Sequence, residues 1–220
     1  MKVKLISYSK PHDLDSKQNI QDLVAYCARV SNPANQNNTK TNEKLIKYLT
    51  KEKHWSPLEM VSICMEIETT RDIARQILRH RSFSFQEFSQ RYAVADLGFE
   101  PKEARTQDAK NRQNSIETDD LELISNWEIQ QKNVADTAAK AYHWALENGI
   151  AKEQARSVLP EGMTVSRMYM NGTLRSWVHY IQLRSGNGTQ KEHQEVAVAC
   201  AEAIKEIFPM IEDFINNNNV

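Results

Sequence analysis

The densest chemistry in the sequence lies between Arg71 and Tyr92, in the run RDIARQILRHRSFSFQEFSQRY. Its arginines, Arg71, Arg75, Arg79, Arg81 and Arg91, stand against only Asp72 and Glu87, so the stretch carries +3 in a chain whose formal charge is −1. Ile73, Ile77 and Leu78 form the apolar stripe of a helix, while Arg71, Arg75 and Arg79 stand four apart on another face. Like charges at that spacing repel one another, so their presence points to a use. Gln76 and His80 also stand four apart, which brings an amide, an imidazole and guanidinium groups to the C-terminal end of the predicted helix. Beyond it, Phe83–Arg91 interleaves aromatic and polar residues. If that piece is extended, Glu87, Ser89 and Arg91 point to one side. A guanidinium offers a two-pronged fork to phosphate, a serine adds a hydroxyl, and a glutamate accepts from sugar hydroxyls. The set suits a nucleotide.

These residues need a scaffold, and composition bounds what it is. The chain has 220 residues, 40% hydrophobic and 26% charged, which fits a globular protein with a self-sufficient core. Lys+Arg is 28 and Asp+Glu is 29, a balance that argues against general binding to polyanions such as nucleic acid. No apolar run approaches a membrane span, and Met1–Lys10 lacks the apolar core of a signal peptide. Cys27, Cys64 and Cys200 are scattered, with no disulfide framework and no metal-ligand spacing, so a reducing, cytoplasmic compartment is expected and no metal site is. No His-Glu-x-x-His occurs. Gly186 and Gly188 begin a dinucleotide fingerprint, but Lys191 stands where its third glycine belongs.

The elements follow from hydrophobic period. Met1–Tyr8 reads as a strand. Asn19–Arg29 and Thr41–Lys51 read as amphipathic helices, with a loop at Ser31–Asn42 between them. His54-Trp55-Ser56-Pro57 is a loop. Val61–Glu68 alternates as a half-buried strand, with Thr69 or Thr70 available to cap the next helix. Ala93–Asp120 is polar and predicts an irregular excursion whose length and polarity suggest a lid. Leu121–Asn148 predicts a long helix with Ile124, Trp127, Val134, Ala138, Ala141, Tyr142 and Ala145 inward and Gly149 as its stop. Ala151–Leu159 is a short helix, Thr164–Met170 a strand ending at Gly172, and Thr173–Arg184 a helix burying Leu174, Trp177, Val178 and Ile181. Ser185–Thr189 is a turn, Gln190–Phe208 the last long helix, and Asn216–Asn219 a frayed tail. No shift in composition marks a linker, so residues 1–220 read as one α+β domain.

Arg79-His80-Arg81, followed after seven residues by Ser89, resembles the signature of the flavin-dependent thymidylate synthases. Further blocks resemble that family in order: His54, Ser56, Pro57 and Glu59; Gln76; Ala155-Arg156-Ser157-Val158-Leu159-Pro160; Asn171-Gly172-Thr173-Leu174-Arg175-Ser176-Trp177; then His179 and Arg184. The resemblance implies a single domain with a central antiparallel sheet flanked by long helices. It implies an enzyme that makes dTMP from dUMP with bound FAD, a methylene group from 5,10-methylenetetrahydrofolate and reducing equivalents from NADPH. It also implies a homotetramer whose active sites draw on several subunits.

Roles follow from the resemblance residue by residue. His54, Ser56, Arg79, His80, Arg81, Glu87, Thr173, Arg175 and His179 would hold FAD. Gln76, Arg79, Glu87, Phe88, Ser89, Gln90, Arg91, Arg156 and Arg184 would bind dUMP, with Arg91 and Ser89 on the phosphate. Arg184 would serve catalysis at the pyrimidine edge. Thr173 departs from the asparagine that many members carry, and His179 from the asparagine of some branches. Simpler roles compete: His54 as a surface histidine, and Arg156 and Arg184 as cations near helix C-termini. The Pro-Cys-His of the cysteine-dependent thymidylate synthases is absent, so no thiol nucleophile is expected. Two other readings of the basic stretch remain at this stage. One is nucleic-acid binding with Phe83, Phe85, Phe88 and Tyr92 as stacking platforms. The other is an assembly surface whose arginines bridge acidic subunits.

Overall fold

A computed structural model of the chain describes residues 1–12, 19–186 and 188–216. In chain order the elements are β1 (Lys2–Tyr8), α1 (Ile20–Ala28), α2 (Asn42–Lys51), β2 (Ser62–Thr70), α3 (Arg71–Ile77), β3 (Phe83–Glu87), β4 (Arg105–Gln107), β5 (Ser115–Glu117), α4 (Leu121–Glu147), α5 (Lys152–Ala155), β6 (Val165–Thr173), α6 (Leu174–Arg184), α7 (Lys191–Lys205) and α8 (Ile211–Asn216). Short 3-10 turns at Pro33–Asn35 and Ser56–Met60 occupy parts of the predicted loops.

Four strands form an antiparallel sheet in the order β1-β2-β6-β3. The alternation in β2 decides its faces. Ile63, Met65 and Ile67 are fully buried, while Ser62, Cys64, Glu66 and Glu68 lie on the partly exposed face. The buried face packs with Met168 and Met170 of β6 against Trp177, Val178 and Ile181 of α6 and Val196, Cys200 and Ile204 of α7. The Trp177 indole N–H donates to the Ile63 carbonyl at 3.0 Å, which ties α6 to the sheet centre. On the other face, the Tyr169 hydroxyl meets Glu66 at 2.7 Å and Arg167 meets Glu68 at 2.8 Å.

One glycine fixes how β3 sits. Gly172 lies opposite Phe83 in the register, and a Cβ at Gly172 would run into the Phe83 ring. That close approach seats Phe83 against Trp177, with ring centroids 4.9 Å apart.

Three expectations change. Ala93–Asp120 is not wholly irregular: β4 and β5 pair as a hairpin. Each strand has three residues without apolar alternation, so the period carries no signal there. In α4 the Asp120 carboxylate caps the N-terminus and Gly149, at φ +78°, ends the helix; Ala138, Tyr142 and Ala145 are buried. Trp127 and Val134, expected inward, are 42% and 50% exposed. The last predicted helix stops at Lys205, and α8 follows. The expected frayed tail lies outside the described residues except for Asn216, the end of α8.

Candidate active site

α3 is shorter than its stripe predicts. It ends at Ile77, so Gln76 sits in its last turn while Arg79, His80 and Arg81 follow in the turn leading to β3. That turn is closed by backbone bonds from His80 N to the Ile77 carbonyl at 3.0 Å and from Phe83 N to the His80 carbonyl at 3.3 Å. The expected three-arginine face therefore stops at Arg75, because the chain must bend to set Phe83 on Gly172.

α6 brings a second arginine to this turn. Arg184 is its last residue, and the Arg184 Nε donates to His80 Nε2 at 3.0 Å. The His80 ring also stands edge-on to Tyr180, 4.9 Å between centroids. Burial pushes the His80 pKa down, and the Arg184 and Arg79 charges push the same way, so His80 is a neutral acceptor. Among the described residues no carboxylate forms an ion pair with Arg79, Arg81 or Arg184. Arg184 thus bonds a neutral imidazole at the end of α6 and has no carboxylate partner among the described residues.

Gln76 is held from two sides. Its Nε2 donates to Gln190 Oε1 at 2.8 Å, and its Oε1 lies 3.3 Å from His193 Nδ1. His193 is fully buried, and its Nε2 meets the Tyr180 hydroxyl at 3.1 Å. Burial, then the Arg184 charge and then His80, push its pKa down to about 3, so it is neutral. Sequence reading missed His193, Tyr180, Gln190 and Glu192. His193 shares the apolar stripe of Val196 and Cys200, and nothing local marks it as part of a polar network.

Glu87, at the end of β3, accepts from Ser166 Oγ at 2.8 Å and lies 3.7 Å from Arg71. The chain then turns: Tyr92 N and Ala93 N both donate to the Ser89 carbonyl, at 3.1 and 3.0 Å. The expectation that Glu87, Ser89 and Arg91 share one extended side is therefore wrong. Glu87 is half-buried on the sheet, Ser89 and Arg91 are exposed on the turn, and Phe88 is half-buried with its N–H on the Arg167 carbonyl. Between them Gln90 is 4% exposed, and its Nε2 has no hydrogen-bond partner. Arg91 pairs with Glu153 at 3.3 Å, and Arg156 Nε reaches the Glu153 carbonyl at 3.4 Å. For Arg156 this matches a helix-end cation. Arg71 is pushed down mainly by burial; Arg75 and Arg156 push the same way and Glu87 opposes them. Three guanidiniums therefore share one neighbourhood.

The third group gathers around the start of α6. Thr173 caps the helix by accepting from Ser176 N at 3.2 Å, so its hydroxyl has a structural task. The Ser176 hydroxyl donates to the Ser82 carbonyl at 3.3 Å, which joins this end of α6 to the arginine turn. Trp55 stands edge-on to His179 with centroids 4.7 Å apart, and Arg175 pairs with Glu59. Burial and then Arg175 push the His179 pKa down. His54 and Ser56 are exposed nearby in sequence.

The polar hairpin reaches the site indirectly. Arg105 of β4 pairs with Glu192 at the start of α7, Glu192 accepts from Gln190 at 2.9 Å, and Gln190 holds Gln76. Lys191 fixes the hairpin further through Glu103 and Glu117, each at 2.7 Å. A cleft of about 520 Å³ between the hairpin and α4 is lined by Arg105, Trp127 and Gln190.

The arrangement favours anionic ligands: uncompensated guanidiniums, and a buried amide N–H with nothing to bond, are what such ligands satisfy. It offers no activated thiol. Burial raises the pKa of Cys27, Cys64 and Cys200, and no positive charge counters it. Of the four aromatics in the nucleic-acid reading, Phe83 is in the core, Phe85 and Phe88 are half-buried, and Tyr92 is 87% exposed.

A sequence model described as thymidylate synthase complementing protein matches residues 13–210. The chain is 48% identical over 211 residues to a probable flavin-dependent thymidylate synthase of Paramecium bursaria Chlorella virus 1, covering 96% of this chain and 97% of that protein. It is 48% identical over 214 residues to a flavin-dependent thymidylate synthase of Synechocystis, with the same coverage of 96% and 97%. Among solved structures it is similar to PolB of Streptomyces cacaoi, a UMP/dUMP methylase crystallised with 5-Br dUMP, with a TM-score of 0.81, 26% identity and coverage of 98% and 94%.

Proposed function

The chain belongs to the flavin-dependent thymidylate synthase family and is an enzyme of dTMP synthesis from dUMP, and we propose that it works with bound FAD, 5,10-methylenetetrahydrofolate as carbon donor and NADPH as reductant. The observation that carries the reading is the set of guanidiniums at Arg79, Arg81 and Arg184 without a carboxylate partner among the described residues. In a chain of formal charge −1 they suit small, multiply anionic ligands.

Arg79, His80 and Arg81 hold FAD, with His54, Ser56, Glu87, Thr173, Arg175 and His179. The guanidiniums would meet its pyrophosphate, and the Trp55 and His179 rings would offer aromatic surface beside it. When bound, FAD supplies two-electron transfer between NADPH and the one-carbon unit on the pyrimidine. The residues supply position and charge. Gln76, Arg79, Glu87, Phe88, Ser89, Gln90, Arg91, Arg156 and Arg184 bind dUMP. Arg91 exchanges Glu153 for the phosphate, with Ser89 beside it. The pyrimidine C5 is a poor nucleophile, and negative charge in the ring, as N3 gives up its proton, raises its reactivity. Arg184 stabilises that charge, and a fixed guanidinium does so without reorganising when the charge develops. Neutral His80 orients Arg184 without cancelling it. No cysteine is required, in keeping with thiols that burial holds protonated.

The working form in this reading is a homotetramer. Leu121, Leu123, Trp127, Val134 and Trp144 of α4 are exposed in the single chain, more apolar surface than a lone helix face needs. The compartment is the cytoplasm; no helix among the described residues is long and apolar enough to cross a membrane. The test is direct. Purified protein is expected to be yellow, to release FAD on denaturation, and to form dTMP only when dUMP, methylenetetrahydrofolate and NADPH are all present. A colourless protein that takes up no added FAD would contradict the reading.

A further inference from the structure

Behind Gln76 runs a hydrogen-bond chain whose direction one group dictates. The Glu192 carboxylate, held by Arg105, can only accept. Gln190 must therefore face it with Nε2, as it does at 2.9 Å, which turns Gln190 Oε1 toward Gln76. Gln76 must answer with its own Nε2, at 2.8 Å, which turns its Oε1 toward His193. His193 Nδ1, 3.3 Å away, must then carry the proton, and its Nε2 accepts from the Tyr180 hydroxyl at 3.1 Å. Each member has one consistent orientation, set from a largely buried ion pair through to a tyrosine in the core. His193 is fully buried, so it acts on a ligand only through Gln76.

We propose that His193 is a positioning residue for the nucleotide: it locks the Gln76 amide so that the remaining Nε2–H, and not the carbonyl, is offered to an acceptor oxygen of dUMP. The inference rests on the reading that Gln76 binds dUMP. It gives the buried imidazole a task that packing alone does not require, since an apolar side chain would fill the same space without a polar group to satisfy.

The experiment compares full-length, FAD-loaded wild-type protein with His193→Phe and His193→Gln. Phenylalanine keeps bulk and removes the donor. Glutamine carries a donor and an acceptor at its tip and can restore the same direction. For His193→Phe the KM and Kd for dUMP are expected to rise about tenfold, the loss of one neutral hydrogen bond. Flavin content, KM for NADPH and kcat at saturating dUMP stay close to wild type. His193→Gln is expected to recover most of the affinity. A purely structural role would lower flavin content and melting temperature without splitting the two KM values. If His193→Phe fails to fold, Glu192→Gln decides, because an amide there frees the whole chain to reverse; weaker dUMP binding with flavin retained is expected. An unchanged dUMP KM in a folded His193→Phe or in Glu192→Gln, or a glutamine variant no better than the phenylalanine one, overturns the inference alone. Wild-type protein that binds no dUMP overturns the functional reading and this inference with it.

Discussion

Two sets of arginines in this protein look alike in the sequence. Arg75, Arg91 and Arg175 each meet a glutamate, Glu161, Glu153 and Glu59 respectively, all with well-exposed side chains. Arg79, Arg81 and Arg184 meet none among the described residues, and Arg184 instead bonds a neutral histidine. Folding supplies the difference. The bend after α3 carries Arg79 and Arg81 away from α3, and the end of α6 delivers Arg184 to the same turn. A count of charges finds the basic stretch; only the partners show which charges are held ready for a ligand. Surface pairs of the first kind contribute little to stability. An unpaired guanidinium beside a half-buried, neutral imidazole is placed for work.

The strongest way to break this contrast is Arg184→Ala. We expect kcat for dTMP formation to fall about 10²- to 10³-fold, as when one preorganised charge-stabilising donor is removed, with the circular dichroism spectrum unchanged. A near-wild-type rate would remove Arg184 from the chemistry. Arg91→Ala tests an arginine that must trade its glutamate for phosphate. Its dUMP affinity, measured by calorimetry, is expected to drop about 10- to 100-fold, the range for a charged hydrogen bond, while the flavin stays bound.

Acid tests the neutral partners behind the site. Unfolded His193 takes up a proton near 6.5, but native His193 does so only near 3. Its share of stability is whole above pH 6.5 and declines as pH falls toward 3, because the unfolded chain binds the proton first. Urea titrations across that window are expected to show a shallower decline for His193→Gln than for wild type. Arg75→Ala should do least. Its exposed pair is worth less than about 1 kcal/mol, so melting temperature and kcat/KM should stay near wild type. A large loss of activity there would blur the two sets.

Much of the scaffold is legible in the residues themselves. The alternation Ile63-Met65-Ile67 and the stripe Leu174-Trp177-Val178-Ile181 report burial directly, and both faces are where the period puts them. The motif blocks also come in order, which is why the family can be read before any coordinates. What period does not carry is termination and partnership. Ile73, Ile77 and Leu78 predict a helix running on through Arg79, but the packing of Phe83 on Gly172 ends it at Ile77. Ser89 looks extended until its carbonyl is seen closing a turn. Trp127 and Val134 keep the spacing of an inward face, yet both are exposed. His193 hides among apolar residues, and its partner Gln76 is 117 positions away.

The central claim is that Arg79, Arg81 and Arg184, which have no carboxylate partner among the described residues, are held ready for the ligands. A crystal structure with FAD and dUMP bound tests it most directly. The account expects ligand oxygens within hydrogen-bond distance of Arg79, Arg81 and Arg184, with the Arg75–Glu161 pair intact. Ligands held instead by Arg75, with Arg184 touching nothing but His80, would contradict it.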